Sequence, residues 1–297
     1  MVLMNNHLQL IGLYVLVCEL HDLRRSTCFQ RLSNNANAPG ITDQELITIY
    51  WFGHWHGRFE KKAIYDFIKD YWADYFPKLP AYQTFVARLN QLEPTFQALG
   101  AELQSRLRRQ HLPEADHVID SMPVMLARAG HAYRATVARE LAEVGYCPSK
   151  KMYFHGVRLH TVAQRRSGQL PCPQQIWLRE GSCHDVRSVK EQVLVLPGTT
   201  LLGDNAYADL EFECQLAAQH TSLRTTRKKP KGKELTEWEK YYNRCISRLR
   251  QPIEGFFNWC NDKTDLQNAG TVRSADALMV HCWGKLAFAY FLLVFNT

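Results

Sequence analysis

His117-Val118-Ile119-Asp120-Ser121-Met122-Pro123 decides the fold reading, because it holds a short apolar run that ends on an acid. Val118 and Ile119 are β-branched, so the run reads as a strand that leaves its sheet at Asp120. Working outward, Tyr153 to Ala163 (YFHGVRLHTVA) alternates and is rich in β-branched and aromatic residues, which predicts a second strand. A third is expected over Gln175 to Arg179, around Ile176-Trp177-Leu178. Val186 to Gln192 reads as a short helix, and Thr199 to Leu202 as a short strand running into Gly203-Asp204. Asp209 to His220 reads as helical, Ser222-Leu223 as a last short strand, and Trp238 to Asn261 as a long helix kinked near Pro252. Three strands followed by alternating helix and strand predict an α/β fold: a mixed sheet flanked by helices.

Before this stretch the pattern is helical. Thr42-Asp43-Gln44-Glu45 is a capping box placed just before Leu46, Ile47, Ile49 and Tyr50. Lys61 to Phe76 carries apolar residues at 64, 67, 68, 71, 72 and 75, a helical period that Pro77 and Pro80 end. Tyr82 to Leu92 reads as another amphipathic helix, with Arg88 exposed. Two regions are therefore expected: a helical N-terminal region over 1–112 and the sheet-bearing region over 113–297. Short helices with short turns can present one helix to a DNA major groove, and they can equally form a cap that only packs on a core.

The chain has 297 residues, 46% hydrophobic and 22% charged, an ordinary globular composition. Its nine cysteines are scattered with no C-x-x-C pair, which argues against a disulfide scaffold or a zinc knuckle and for reduced thiols in a cytoplasmic protein. Leu8 to Cys18 and Phe288 to Phe295 are apolar but too short to cross a bilayer, so both read as buried helix segments and no membrane partner is expected. The formal net charge is +7, and residues 224–250 hold ten Lys or Arg against three Glu, a surplus equal to that of the whole chain. Such a localised surplus suits a polyanion such as DNA, although a charge run is often only a solvated face. The candidate DNA contacts are Arg88 in the helical N-terminal region, Arg224, Arg227, Lys228, Lys229, Lys231 and Lys233 before the long helix, Arg244, Arg248 and Arg250 on it, and Lys263 after it.

Three acids stand out by context. Asp120 ends the first strand, Asp204 follows a glycine on leaving another, and Glu254 lies on a helix whose other residues are mostly apolar, so its carboxylate is expected to face packed structure. Taken singly, each is also a plausible turn, cap or ion-pair residue. Together, two acids leaving adjacent strands and one on a helix packed across them can converge. Buried carboxylates repel and lose hydration, so the cluster would need a cation, and all-oxygen ligands suit Mg²⁺ or Mn²⁺. Two ions about 4 Å apart would clamp the oxygens of an in-line phosphoryl transfer. No G-x-S-x-G, phosphate-binding G-x-x-x-x-G-K-[ST] or H-E-x-x-H motif competes. His184 and Asp185 are expected close to the acids, supporting a metal ligand, contacting DNA or capping a loop. The aromatics Trp238, Tyr241, Tyr242, Phe256, Phe257 and Trp259 are expected to divide between core packing and stacking on an unpaired base.

Several strings together resemble the DDE-type insertion-sequence transposases, most closely the IS982 family. They are Leu79 to Asn90 (LPAYQTFVARLN), His117 to Pro123, Gly145 to Gly156 (GYCPSKKMYFHG), Leu202-Gly203-Asp204-Asn205-Ala206-Tyr207, and Arg248 through Glu254 to Lys263-Thr264. Val272-Arg273-Ser274 and Met279 to Leu286 extend the resemblance, which covers about residues 40 to 295. It implies a ribonuclease H-like catalytic domain with Asp120, Asp204 and Glu254 as catalytic metal ligands, two Mg²⁺ ions and a helical region that helps bind terminal inverted repeats. It also implies strand cleavage and 3′-hydroxyl strand transfer on double-stranded DNA, with self-association on that DNA. Relatives often carry a tyrosine three residues before the arginine and a lysine seven after the glutamate; here Ser247 and Asn261 stand there, with Lys263 the nearest lysine. A metal-dependent nuclease that does not join strands, or an inactive DNA-binding remnant, would carry the same strings.

Overall fold

The computed structural model describes residues 6–24, 40–110, 116–192, 194–196 and 198–295. In chain order its elements are α1 (Asn6–Leu23), α2 (Asp43–Trp55), α3 (Lys61–Tyr71), α4 (Tyr82–Leu89), α5 (Glu93–Arg109), β1 (Asp116–Arg128), β2 (Glu143–Cys147) and β3 (Met152–Gln164). They continue with β4 (Cys172–Glu180), α6 (Asp185–Lys190), β5 (Thr200–Gly203), α7 (Leu210–Ala217), β6 (Ser222–Thr225), α8 (Glu237–Thr264) and α9 (Ala275–Phe295). The chain forms two compact units: Met1–Leu107 with Cys260–Leu266 and Thr271–Thr297, and Arg108–Trp259 with Gln267–Gly270.

The first unit is helical. The Thr42 hydroxyl accepts from the Glu45 amide, and Glu45 Oε2 accepts from the Thr42 amide at 2.6 Å, so the capping box opens α2 as its sequence predicts. Leu46 to His54 are all buried, which explains why α2 has no polar face to read. Arg88 is not exposed as expected. Its side chain is 18% exposed and donates to Asp43 Oδ1 at 2.9 Å and to the Ile41 carbonyl, tying α4 to the start of α2. α1 is only half buried: Leu10, Leu13, Val17 and Leu20 are covered, whereas Leu8, Ile11 and Val15 are exposed.

α9 is long and apolar enough to cross a membrane, yet 83% of its most apolar window is buried inside the protein. It also carries two polar groups that finish another helix. Lys285 Nζ donates to the Asp265 carbonyl at 3.0 Å, and His281 Nε2 to the Leu266 carbonyl at 2.8 Å. Both carbonyls lie just past the end of α8, where a helix leaves acceptors without partners and its dipole favours positive charge.

The second unit is built on one mixed sheet in the order β2-β3-β1-β5-β6, with β4 also pairing to β3. β3 is antiparallel to β1, and its other edge is shared end to end by β2 (opposite 152–156) and β4 (opposite 157–164). β5 and β6 run parallel to β1. With helices beside this sheet, the arrangement is the ribonuclease H-like α/β fold. β1 is much longer than the sequence suggests and does not stop at Asp120. It continues through Pro123 because β5 pairs with it only at 116–118. Between that point and the isolated parallel bridge of Met125 to Asn268, the β5 side of β1 carries no pairing among the described residues, and a residue without an N–H is tolerated. A bulge between Met125 and Ala127 follows, where the ladder faces Gly156. A Cβ there would lie 2.0 Å from the Val124 carbonyl oxygen, so only glycine fits. Ile119, Val162, Trp177, Leu201, Tyr207 and Phe212 lead the core on one face.

Candidate active site

The ladder itself brings two acids together. Val118 pairs with Leu202 in parallel register, so Asp120 and Asp204 fall at matching positions just beyond the last paired residues, where β1 and β5 separate. Gly203 sits at this separation, and a Cβ on it would press on Ile119 and Tyr207 at 3.2 Å. Asp204 then leaves the strand as the cap of a 3-10 turn, Oδ1 accepting from the Ala206 amide at 2.8 Å. Asp120 Oδ1 accepts from the Ser121 amide at 2.8 Å, and its Oδ2 from Arg250 Nη2 at 3.2 Å. Arg250 comes from α8 and is only 8% exposed.

A third carboxylate joins them. Asp185, at the start of α6, accepts from the Ser121 hydroxyl at 2.7 Å and lies 3.8 Å from Nδ1 of the buried His160. Burial raises the Asp120 carboxyl to about 7, against the pull of Arg250 and the Ser121 amide, while Asp204 and Asp185 push it further up. Asp204 is raised by burial as well, with Arg250 and the Ala206 amide opposing and Asp185 adding. Tyr207 is 1% exposed and its hydroxyl has no hydrogen-bond partner among the described residues. Burial holds that hydroxyl well above its ordinary value, and Asp185, Asp120 and Asp204 add to the shift. His160 is fully buried against Trp177, its ring stacked at 5.4 Å, and burial holds it below the ordinary histidine range.

Glu254 stands differently from its expectation. It is exposed on α8, one turn after Arg250, rather than facing packed structure. Among the described residues, no three His, Cys, Asp or Glu side chains are gathered closely enough to hold a metal ion as they stand. The donor chemistry nevertheless suits a hard cation: carboxylate oxygens whose ionised forms are opposed by burial and by one another, beside a tyrosine hydroxyl without a partner among the described residues.

His184 is exposed and precedes α6 without a side-chain cap bond, so only its neighbour Asp185 enters the acid group. Among the basic candidates, Arg224, Arg227, Lys228, Lys229, Lys231, Lys233, Arg244, Arg248 and Lys263 are all exposed. Lys229 is paired with Glu234 at 2.5 Å, and the Arg250 charge is engaged by Asp120. Phe256 and Phe257 are core residues, at 0% and 7% exposure. An acid closing an apolar run pointed to Asp120 and Asp204, although only Asp204 leaves its strand and Asp120 lies within β1. The signal of Asp185 was weaker, a carboxylate next to a histidine at a helix start, and Tyr207 carried none beyond its position three residues after Asp204.

Residues 115–292, more than half of the chain, match the family described as the transposase DDE domain. No curated protein and no solved structure matches the chain.

Proposed function

Because the chain belongs to the transposase DDE domain family, we propose that it is an insertion-sequence transposase that cuts and rejoins DNA strands by phosphoryl transfer. The observation that supports this most directly is the pair Asp120 and Asp204 at the point where two parallel strands separate, with Arg250 as their buried counter-charge. In this reading Asp120, Asp204 and Glu254 hold two divalent cations, Mg²⁺ or Mn²⁺. When bound, such ions polarise the phosphate and activate the attacking oxygen. The chain's own groups do the rest. Arg250 fixes the Asp120 carboxylate and offsets its charge. The Ser121 and Ala206 amides orient one oxygen of each aspartate. The exposed lysines and arginines of 224–248 bind phosphates on either side of the reacting bond.

The finer assignment, to the IS982 family, with terminal inverted repeats and target DNA as partners, self-association on DNA and a cytoplasmic, nucleoid-associated location, belongs to the same proposal. Its test is incubation of the full chain with inverted-repeat DNA, labelled target DNA and Mg²⁺, beside Asp120→Asn, Asp204→Asn and Glu254→Gln. Cleavage and joining by the parent, each reduced at least about 100-fold in every variant, are expected. Cutting without any joined product identifies a nuclease instead. A variant that cuts at the parental rate removes that residue from the assignment.

A further inference from the structure

Upstream of Glu254 on α8, three side chains form a stack outside the acid group. The Trp238 and Tyr242 rings, one helical turn apart, lie parallel within 11° with centroids 5.4 Å apart. The Arg227 guanidinium lies over the Tyr242 ring at 5.7 Å. The Tyr242 ring is thus the common neighbour of the Trp238 indole and the Arg227 guanidinium, and Trp238 is 63% exposed.

The stack is held in place. Asn243 clamps the backbone of Arg227 twice, its Oδ1 accepting from the Arg227 amide at 2.7 Å and its Nδ2 donating to the Arg227 carbonyl at 3.0 Å. That pair of bonds fixes the start of the basic loop to the helix carrying the two rings. A capping interaction fixes the helix start as well: Glu239 Oε2 accepts from the Thr236 amide at 2.8 Å, and the Glu239 amide donates to the Thr236 hydroxyl at 3.2 Å. A tryptophan this exposed contributes little to folding, and a second exposed aromatic, Tyr241 at 61%, stands one turn away.

The surroundings select the occupant. Residues 224–250 carry ten Lys or Arg against three Glu, so an anionic partner is favoured. Of the polyanions, one that brings flat, uncharged rings between its phosphates uses both features, and only unpaired bases expose such faces. We propose that Trp238, backed by Tyr242 and Arg227, is a stacking site for an unpaired base of a DNA strand whose phosphates lie on the basic segment. Sixteen residues of helix separate Trp238 from Glu254, about 24 Å at 1.5 Å per residue. That span equals about seven base-pair steps of duplex, so the stacked base is remote from the reacting phosphodiester and belongs to a flanking strand.

This inference rests on the reading of the chain as a DNA-processing protein, but its test needs no cleavage and no metal. Binding of the full chain to oligothymidylate and to a blunt duplex of unrelated sequence is measured by fluorescence anisotropy at several salt concentrations, in chelator. Trp238→Ala is expected to weaken oligothymidylate binding about 10-fold, to change duplex binding less than twofold and to leave the salt slope unchanged. Trp238→Phe should recover most of the loss, because a ring is restored. Thermal melting of both variants close to that of the parent excludes unfolding as the cause. Equal losses on both DNAs, or no loss on either, overturn the proposal, the second outcome assigning the stack to a different partner. Failure of the acid-group reading would appear separately, as cleavage unaffected in Asp120→Asn with this binding pattern intact.

Discussion

Ionisation of Asp120 is opposed by its surroundings, since burial and two neighbouring aspartates favour the protonated form and Arg250 offsets this only in part. Asp120→Asn removes that load while preserving shape. The variant is expected to be more stable than the parent at neutral pH, by on the order of 1 kcal/mol in thermal or urea unfolding, while losing cleavage. The two also separate on adding Mn²⁺. At about 100 times its dissociation constant the ion should stabilise the parent by about 2.7 kcal/mol and Asp120→Asn hardly at all. An equal response of the two proteins would remove Asp120 from the cation site. Asp120 and Asp204 were legible because an acid that closes an apolar run has a fixed place relative to its strand. Glu254 was not, because whether a residue on a helix face is covered depends on which other segments reach that turn. Arg250 is buried and Glu254, one turn later on the same side of α8, is exposed, a difference that a sequence with apolar residues around both does not encode.

At the scale of elements, the α8–α9 junction is held by a buried ammonium. Burial lowers Lys285 from 10.5 to about 7, so between pH 7 and pH 9 the unfolded chain keeps a proton that the folded chain has released. Stability therefore rises with pH across that window, by up to about 1.4 kcal/mol per pH unit, and this contribution is complete only above the unfolded value. Above pH 9 the buried Cys260 and Cys282, both raised by burial, act in the opposite direction. Urea unfolding at pH 7, 8 and 9 should show the rise in the parent and a flattened profile in Lys285→Met. An unchanged slope in the variant would show that Lys285 is not the titrating group. Long periodic or alternating elements such as β3 and α8 were read closely from sequence. The length of β1 was hidden by Pro123, which is admissible only because β5 is so short. β2 and α5 went unread: five residues with a glycine at the centre give β2 little alternation, and α5 begins at a Glu-Pro that resembles a turn.

Over the whole molecule, charge is unevenly placed, with the formal surplus of +7 matched by residues 224–250 alone. Replacing Lys228, Lys229, Lys231 and Lys233 together by Gln should therefore reduce the slope of log affinity for duplex against log salt by about 3.6, at about 0.9 per phosphate contact. Stability should change little, because all four side chains are exposed. A slope equal to that of the parent would mean that this loop does not track the backbone. The mixed sheet and its helical partner region were legible as classes, whereas the path of the chain between the two compact units was not. Hydrophobic period reports which faces are buried and not which other segment covers them. The helical unit takes its first part from Met1–Leu107 and its last from Thr271–Thr297, with the sheet-bearing unit between them in the chain. During synthesis the early helices must then wait, with Trp51 and Phe96 lacking α9, until the ribosome has made the entire sheet-bearing unit. A stop codon anywhere before α9 would therefore leave Trp51 and Phe96 without the helix that covers them.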